Sequence, residues 1–433
     1  MKILIYKIHA LSLILSMLIT MTHSQNTTSL DAIFGGLLRT FLLKAGHKVR
    51  QQTDSDFNRA ILEKQQRAAK KLKAADPFPC QLENIKLRSD TVPSSVHKLR
   101  PGDIDIIAGM GDSLSAGTGI STISVIEELI IPQRGRAWSA GGEKTWRSYL
   151  TLPNILKVFN PKLFGFALKA SQSIEWESQF NVAENGAISN DMPYMVKELV
   201  KRIKQDPRVD LENHWKMVTI MIGDNDFCSE ICLLRNSYDS LKKHKEDLLI
   251  VLRYLRDNLP RTIVNLVPAP RLDVLFEMKN LPLKCYIVQN TVCSCIRGLL
   301  YKNMRKIMSD IMKKWQQVDL EVSNLPEFDL EDFTVIGHTY TLNYSFPRTP
   351  QGKPDYTFLA PDCFHFSEKS QARFANDLWN SLLEPVGNKS TDGTPTFSKF
   401  NCPSEEHPYI YTKHNSQLPH SFQSVEKTFE LPN

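Results

Sequence analysis

Four short segments, far apart in the chain, each carry a residue type that ester hydrolysis needs. Gly111-Asp112-Ser113-Leu114 offers a hydroxyl nucleophile, and Asn185-Gly186-Ala187 offers a backbone amide that a glycine leaves accessible. Gly223-Asp224-Asn225-Asp226 offers a side-chain amide, and Asp362-Cys363-Phe364-His365 offers an imidazole with a carboxylate three residues before it. Together, in this order, they predict a nucleophile, an oxyanion hole and a general base.

The expected roles follow from the chemistry of the side chains. A serine hydroxyl such as Ser113 is a poor nucleophile until a base takes its proton, and His365 titrates near neutral pH, so it can accept and return that proton. Asp362 would fix the imidazole tautomer and stabilise the imidazolium. The backbone amides of Ser113 and Gly186 and the side-chain amide of Asn225 would bind the oxyanion.

Each segment taken alone also has a simpler structural interpretation. Ser113 would serve as a helix cap, Gly186 and Asn225 as turn residues, and Asp362 as a helix-start residue beside a surface histidine. The joint occurrence of all four, in order and at the ends of predicted strands, favours the catalytic interpretation.

Hydrophobic patterning predicts the elements that must hold these residues. Apolar runs of strand length occupy Asp103–Met110, Phe180–Ala183, Met217–Ile222, Thr262–Val267 and Phe333–His338. Helical patterns occupy roughly Asp191–Gln205, Ser237–Asn258, Gly298–Gln317 and Glu368–Leu383. This alternation predicts an α/β domain with a mostly parallel central sheet and helices on both faces. Ligands bind such sheets beyond the carboxyl ends of the strands, where the candidate residues fall.

The segments resemble the GDSL, or SGNH, hydrolase family, whose name records Ser, Gly, Asn and His. Here those residues would be Ser113, Gly186, Asn225 and His365, with Asp362 completing the triad. Longer phrases resemble the phospholipase B branch, over roughly Cys80 to Cys402: Arg136-Ala137-Trp138-Ser139, Thr151-Leu152-Pro153-Asn154-Ile155-Leu156, Phe159-Asn160-Pro161, Asp362-Cys363-Phe364-His365-Phe366-Ser367 and Leu378-Trp379-Asn380.

The resemblance implies a three-layer α/β/α SGNH-hydrolase fold. It also implies a secreted or surface lipase with phospholipase A1/A2, lysophospholipase and broad esterase activity, without metal or other cofactor. Asp224 stands where the family pattern allows a variable residue, often glycine, which leaves substrate preference open. Two alternatives remain: a carbohydrate acetylesterase on the same fold, and an inactive secreted lipid-binding protein.

The chain divides into four predicted parts. Residues 1–24 resemble a secretory signal peptide, with Lys2 and Lys7 before an apolar run, although an N-terminal anchor helix is the alternative. Residues 25–76 form a helical preface, whose apolar stripe from Leu30 to Leu42 packs either on the next domain or on lipid. Residues 77–387 are the predicted catalytic domain and 388–433 a polar tail, which carries no terminal apolar segment and so predicts no membrane anchor.

Cysteines, sequons and charge fit an exported protein. All eight cysteines lie after the predicted signal, an even count that predicts disulfides, with Cys228–Cys232 and Cys363–Cys402 as candidate pairs. Asn26, Asn343 and Asn388 begin glycosylation sequons.

The net charge of +6 is scattered along the chain, which predicts no nucleic-acid footprint. The sequence implies no protein partner, and weak contact with a lipid surface remains open.

Overall fold

The computed structural model describes residues 54–73, 75–83, 85–123, 131–278 and 281–416. Its centre is a parallel four-stranded sheet in the order β1-β2-β3-β4. The strands are β1 (Ile104–Gly111), β2 (Trp215–Met221), β3 (Thr262–Leu266) and β4 (Phe333–Gly337). These four strands were predicted, and each bound lies within two residues of the expected one.

Both faces of the sheet are buried, so apolar residues lie on both sides of the strands instead of alternating with exposed polar residues. Successive rows across the sheet pack into two different cores: Ile107, Met217 and Ile263 into one, and Ala108, Val218 and Val264 into the other. Because successive side chains of a strand point to opposite faces, helices are needed on both sides.

The helices provide those two outer layers and a smaller group beside them. They are α1 (Asp54–Arg67), α2 (Ser113–Ala116), α3 (Leu152–Phe159), α4 (Met192–Gln205), α5 (Asp239–Asn258), α6 (Leu283–Val292), α7 (Ser294–Arg297), α8 (Arg305–Ser323) and α9 (Glu368–Leu382). Residues of α3 and α9 fill one core, and residues of α4 and α5 fill the other. The predicted three-layer α/β/α architecture is confirmed.

Two predicted elements differ from the observed ones. Phe180–Ala183 runs beside β1 but pairs only through a single parallel bridge, Asn181 with Gly109, and is not a full strand. The predicted helix 298–317 begins as a 3₁₀ segment, Leu299–Met304, and continues as α8 to Ser323. Gly298, which is a poor helix former, directly precedes the tighter turn.

The candidate disulfide pairs Cys228–Cys232 and Cys363–Cys402 are wrong. The structure instead contains Cys80–Cys402, Cys228–Cys293, Cys232–Cys295 and Cys285–Cys363. Cys228 lies in a short helical segment, Asp226–Glu230, and Cys232 in the turn after it, and both face the segment that carries Cys293 and Cys295. Cys402 lies against the start of the domain, where its partner is Cys80.

Both flanking segments contact the sheet-bearing body where the structure describes them. Helix α1 ends at Arg67, and the residues that follow form tertiary hydrogen bonds: the Ala69 amide donates to Glu368 Oε1 at 3.2 Å. In the tail, Phe400 is buried and the Ile410 amide donates to the Leu99 carbonyl at 2.8 Å.

Other predictions cannot be compared with the fold. The signal peptide, the stripe from Leu30 to Leu42 and the sequon at Asn26 lie outside the described residues. Within the described ranges, no helix combines the length and apolar character needed to cross a membrane.

Candidate active site

Ser113 stands at the carboxyl edge of the sheet, immediately after β1. Gly111 has a φ of +142°, and a Cβ there would lie 2.2 Å from the carbonyl oxygen of Met221, so glycine is required where β1 meets β2. Asp112 is the N-cap of α2 and accepts from the Leu114 amide at 3.0 Å. Asp112, and not Ser113, therefore caps this helix. The hydroxyl of Ser113 remains available for another partner.

That partner is His365, which the fold brings to Ser113 across 252 residues of sequence. His365 Nε2 lies 2.9 Å from Ser113 Oγ, and its Nδ1 lies 2.5 Å from Asp362 Oδ2. Asp362 Oδ1 accepts from the backbone amides of Phe364 and His365 at 2.9 and 3.0 Å. The predicted serine, histidine and aspartate thus form one continuous chain of hydrogen bonds, with the carboxylate fixed by its own turn.

The electrostatics of the pair favour a charged histidine. Burial lowers the pKa of His365, but the charge and hydrogen bond of Asp362 outweigh it, and the net pKa is raised above its ordinary 6.5. For Asp362, burial raises the pKa, while His365 and the two backbone amides lower it further than burial raises it. The carboxylate therefore stays ionised beside an imidazole that readily takes a proton.

The two remaining candidates, Gly186 and Asn225, lie on neighbouring loops. Gly186 has a φ of +75°, and no atom lies within 4 Å of the position a Cβ would take, so its backbone is open to an approaching molecule. Asn225 Nδ2 donates to the Ala187 carbonyl at 3.0 Å, which ties the amide to the Gly186 loop. Because an amide group has two N–H donors, one stays available for a ligand.

A second Ser-His-Asp arrangement, absent from the sequence analysis, supports this loop. Ser189 Oγ lies 2.8 Å from His244 Nδ1, and His244 Nε2 lies 2.8 Å from Asp319 Oδ1. All three side chains are at most 3% exposed, so a substrate has no access to this serine. The Ser189 amide also donates to both carboxylate oxygens of Asp226, at 3.2 and 3.0 Å, next to Asn225.

This buried network fixes the loop to the helical layer behind it. The His244 ring stacks on Trp315 with 3.8 Å between ring centroids, and the Trp315 indole donates to the Ile222 carbonyl at the end of β2. His244 and Asp319 belong to two separate helices, α5 and α8. No local spacing in the sequence could have connected these residues to the site.

A pair of buried carboxyl groups lies behind Ser113. Asp112 and Asp224 follow the adjacent strands β1 and β2, and both are almost completely buried. Burial raises the pKa of Asp112 to about 6, and burial together with the charges of Asp112 and Asp226 raises that of Asp224 well above its ordinary value. Two negative charges oppose each other in one buried site, so the raised pKa values favour a proton on this pair of groups.

An apolar pocket opens beside the triad. Leu114, which follows Ser113, and Phe364 and Phe366, which flank His365, contribute to its wall. The remaining lining is mostly apolar and aromatic: Leu272, Val274, Leu275, Tyr344, Phe346 and Leu359, with Pro270, Arg271 and Asp224. A hydroxyl, an imidazole and a carboxylate beside such a pocket can cleave an ester whose acyl part is apolar.

The family of the chain follows from its sequence profile together with this geometry. The family model "GDSL-like Lipase/Acylhydrolase" matches residues 107–378, more than half of the chain. That range contains the serine, glycine, asparagine, aspartate and histidine described above. The chain belongs to the GDSL-like lipase/acylhydrolase family, and the predicted resemblance is confirmed.

Individual relatives extend the comparison. The chain is 36% identical over 340 residues to mouse (Mus musculus) "Phospholipase B1, membrane-associated", covering 77% of this chain and 22% of that protein. The human (Homo sapiens) protein of the same name is 37% identical over 333 residues, covering 76% and 22%. The chain thus spans about a fifth of the length of these relatives.

Solved structures are more distant. Phospholipase A1 from Streptomyces albidoflavus NA297 is 13% identical, with a TM-score of 0.29 and coverage of 62% of this chain and 95% of that one. An extracellular lipase from Streptomyces rimosus is 14% identical, with a TM-score of 0.29 and coverage of 62% and 94%. At such TM-scores the likeness has no bearing on fold or function.

The charge of Asp362 should set the acid limb of the pH–rate profile. Because only neutral His365 can take the serine proton, kcat/KM should decrease as the pH drops below the pKa of His365, which lies above 6.5. In Asp362→Asn the rate should fall and the acid limb should move to lower pH, since burial lowers the pKa of the imidazole more than the remaining charge of Asp112 raises it. Steady-state kinetics on a soluble ester measure this, with Asp377→Asn, another buried carboxyl, as control. An unchanged limb in Asp362→Asn would contradict the assignment.

Asp224 should make the protein less stable as pH rises. A carboxyl group whose pKa is higher in the folded than in the unfolded protein stabilises the fold at pH values below its unfolded pKa. This stabilisation is lost as the pH rises through the pKa of the folded protein. Asp224→Asn should therefore raise the urea midpoint at about pH 8 more than at about pH 5. Asp362→Asn should instead lower the urea midpoint at about pH 8, because the fold lowers the pKa of Asp362. An equal loss of stability in Asp224→Asn at both pH values would refute the account.

Proposed function

We propose that the protein is a secreted serine lipase that hydrolyses acyl ester bonds of phospholipids and lysophospholipids through an acyl-enzyme. The observation that carries this proposal is the hydrogen-bonded chain from Ser113 through His365 to Asp362, whose sequence neighbours line an apolar pocket. Membership of the lipase/acylhydrolase family supports the reaction type. The names of the mouse and human relatives support phospholipid as the substrate class.

The geometry suggests the order of proton transfers. His365 Nε2 takes the proton of Ser113 as the Oγ attacks the ester carbonyl, and Asp362 stabilises the imidazolium through Nδ1–H. The imidazolium then gives its proton to the departing alcohol oxygen, which leaves the acyl group on Ser113. Water activated by the same imidazole hydrolyses that acyl-enzyme and restores the serine.

Three donors would bind the oxyanion that forms in both steps: the backbone amides of Ser113 and Gly186 and the free N–H of Asn225. The hydrogen bond from Asn225 Nδ2 to the Ala187 carbonyl holds that side chain in place before substrate arrives. A donor that is already oriented needs no reorganisation as charge develops, which is why such donors contribute strongly to rate.

The pocket distinguishes between the candidate substrates. Its mostly apolar and aromatic lining suits an apolar acyl group better than a polar sugar. A lipid-binding protein without activity has no need of a serine aligned with a histidine at 2.9 Å. These features favour the lipase over the carbohydrate acetylesterase and over the inactive protein.

The cysteine pairing supports export of the protein to an oxidising compartment. All eight cysteines are paired, which is typical of exported proteins, and the two described sequon asparagines, Asn343 and Asn388, are exposed. These features and the predicted signal at residues 1–24 are the basis for proposing secretion.

A substrate panel with the nucleophile removed tests the proposal. The purified protein should release fatty acid from phosphatidylcholine and lysophosphatidylcholine but little acetate from acetylated xylan. Ser113→Ala and His365→Ala should each lose on the order of 10⁴-fold or more in kcat, because nucleophile and base act as a unit. Ser115→Ala, at a buried hydroxyl two residues away, should stay active. Near-normal turnover in Ser113→Ala, or a preference for acetylated sugar, would reject the function.

Asn225→Ala should lower kcat by about 10²–10³-fold with little change in KM, the behaviour of a donor that acts mainly in the transition state. Asn185→Ala on the neighbouring loop, whose side chain accepts from Thr118 at 2.7 Å, should have a much smaller effect on kcat. Steady-state kinetics on a short-chain ester distinguish the two. A raised KM with unchanged kcat in Asn225→Ala would make this residue a substrate contact instead.

A further inference from the structure

The described chain concentrates its exposed apolar side chains in one short segment. Seventeen large apolar side chains are exposed among the described residues, and seven of them fall within 281–307: Leu283, Tyr286, Ile287, Val292, Leu299, Leu300 and Ile307. Leu299 and Leu300 are 73% and 91% exposed, and Leu283 is 73% exposed. Clustered apolar exposure of this kind marks a surface that meets another phase or partner.

Helix α6 shows why this exposure does not result from loose packing. Its inner face is fixed, because Cys285 is bonded to Cys363 and Gln289 Nε2 donates to the Cys363 carbonyl at 2.6 Å. Cys285 and Gln289 are fully buried, while Leu283, Tyr286 and Ile287 project from the opposite side. The helix is therefore anchored by its polar and sulfur contacts and presents an apolar face outward.

The same segment is basic. Residues 281–307 contain five lysines and arginines and no aspartate or glutamate. Lys302 and Lys306 are exposed, and neither forms an ion pair with another residue in the described ranges. Apolar side chains with cations beside them suit the boundary between acyl chains and anionic headgroups.

This surface continues into the candidate active site. Cys363, the disulfide partner of α6, lies two residues before His365. Leu283, Tyr286 and Arg297 line a shallow groove with Met278 and Leu281, and Arg297 donates to the carbonyl of Leu275, a residue in the wall of the apolar pocket. The groove and the pocket are therefore linked through Arg297 and Leu275, which line one and the other.

We propose that Leu283, Tyr286, Ile287, Leu299 and Leu300, together called the α6 surface, dock the enzyme onto the surface of an anionic phospholipid layer. The proposal rests on the proposed function, because a phospholipase must take its substrate from a lipid aggregate. The three disulfides Cys228–Cys293, Cys232–Cys295 and Cys285–Cys363 hold this surface rigidly beside the pocket. Docking would then deliver substrate in a fixed orientation to Ser113.

A matched pair of variants tests the α6 surface. Ile287→Gln with Leu300→Gln removes two side chains of the surface, and Ile250→Gln with Leu330→Gln is the control. Ile250 also lies on a helix and is 51% exposed, as Ile287 is, but belongs to α5. Binding is measured by flotation with vesicles of phosphatidylcholine and phosphatidylglycerol, using proteins that also carry Ser113→Ala so that no lipid is consumed.

The test pair should bind these vesicles about tenfold more weakly than the parent, whereas the control pair should bind within about twofold of it. With Ser113 intact, the test pair should cleave soluble p-nitrophenyl butyrate normally and lose activity on vesicles in parallel with binding. Vesicle binding that is unchanged in the test pair, or equally reduced in the control pair, would overturn the proposal. A shift from dimer to monomer in light scattering, with vesicle binding unchanged, would assign the surface to a second copy and overturn it as well.

Vesicle binding and phospholipid hydrolysis are measured separately, so the docking proposal and the proposed function can fail independently. Binding with Ser113→Ala reports on docking whether or not the protein hydrolyses phospholipid. If the parent binds vesicles through the α6 surface but releases no fatty acid from any phospholipid, the proposed function fails and docking stands. If it cleaves phospholipid and the test pair binds as the parent does, docking fails and the function stands.

Discussion

The close approach of β1 and β2 at their carboxyl ends is the constraint on which the site depends. Gly111 is paired with Met221 in register, and a single added carbon at Gly111 would lie 2.2 Å from the Met221 carbonyl oxygen. This contact sets the next residues of both strands side by side. The strand-end segments that carry Ser113 and Asn225 are positioned by backbone pairing, before any side chain contributes.

Other parts of the fold bring the remaining groups to that edge. Asp362 and His365 precede α9 and are tied to α6 through Cys363, so a disulfide and a helix hold the base in place. The Gly186 loop is fixed by the buried set of Ser189, His244 and Asp319. The protein thus contains two Ser-His-Asp arrangements: one with a serine facing a pocket, and one fully enclosed. Exposure of the histidine, rather than residue identity, separates the candidate catalytic set from the supporting one: the His365 side chain is 16% exposed, whereas that of His244 is fully buried.

Much of this could be predicted from the sequence, because it depends on local patterns. The strands are buried on both faces, so they form mostly apolar runs, and their bounds followed from those runs. The segments around Ser113 and His365 carry their chemistry within a few residues, and the fold places them together as expected. The segment Phe180–Ala183 was predicted as a strand but forms only one bridge, to Gly109, because strand pairing depends on a neighbour and not only on the segment's own apolar residues.

The rest depends on contacts that no local pattern encodes. Cys228 and Cys232 are close in sequence, yet each is bonded to a cysteine more than 60 residues away, because both thiols face the same neighbouring segment. His244 and Asp319 meet only because α5 packs on α8. Asp224 lies beside Asp112 only because β1 pairs with β2, so its raised pKa is a property of the fold.

The most direct test of the central claim is covalent labelling of the nucleophile. A fluorophosphonate reacts with a serine only where a base has activated the hydroxyl, and peptide mass spectrometry then locates the adduct. The account predicts one adduct per chain, on Ser113, which is lost in His365→Ala. An adduct on Ser189 or on any other serine, or no adduct on the folded protein, would contradict it.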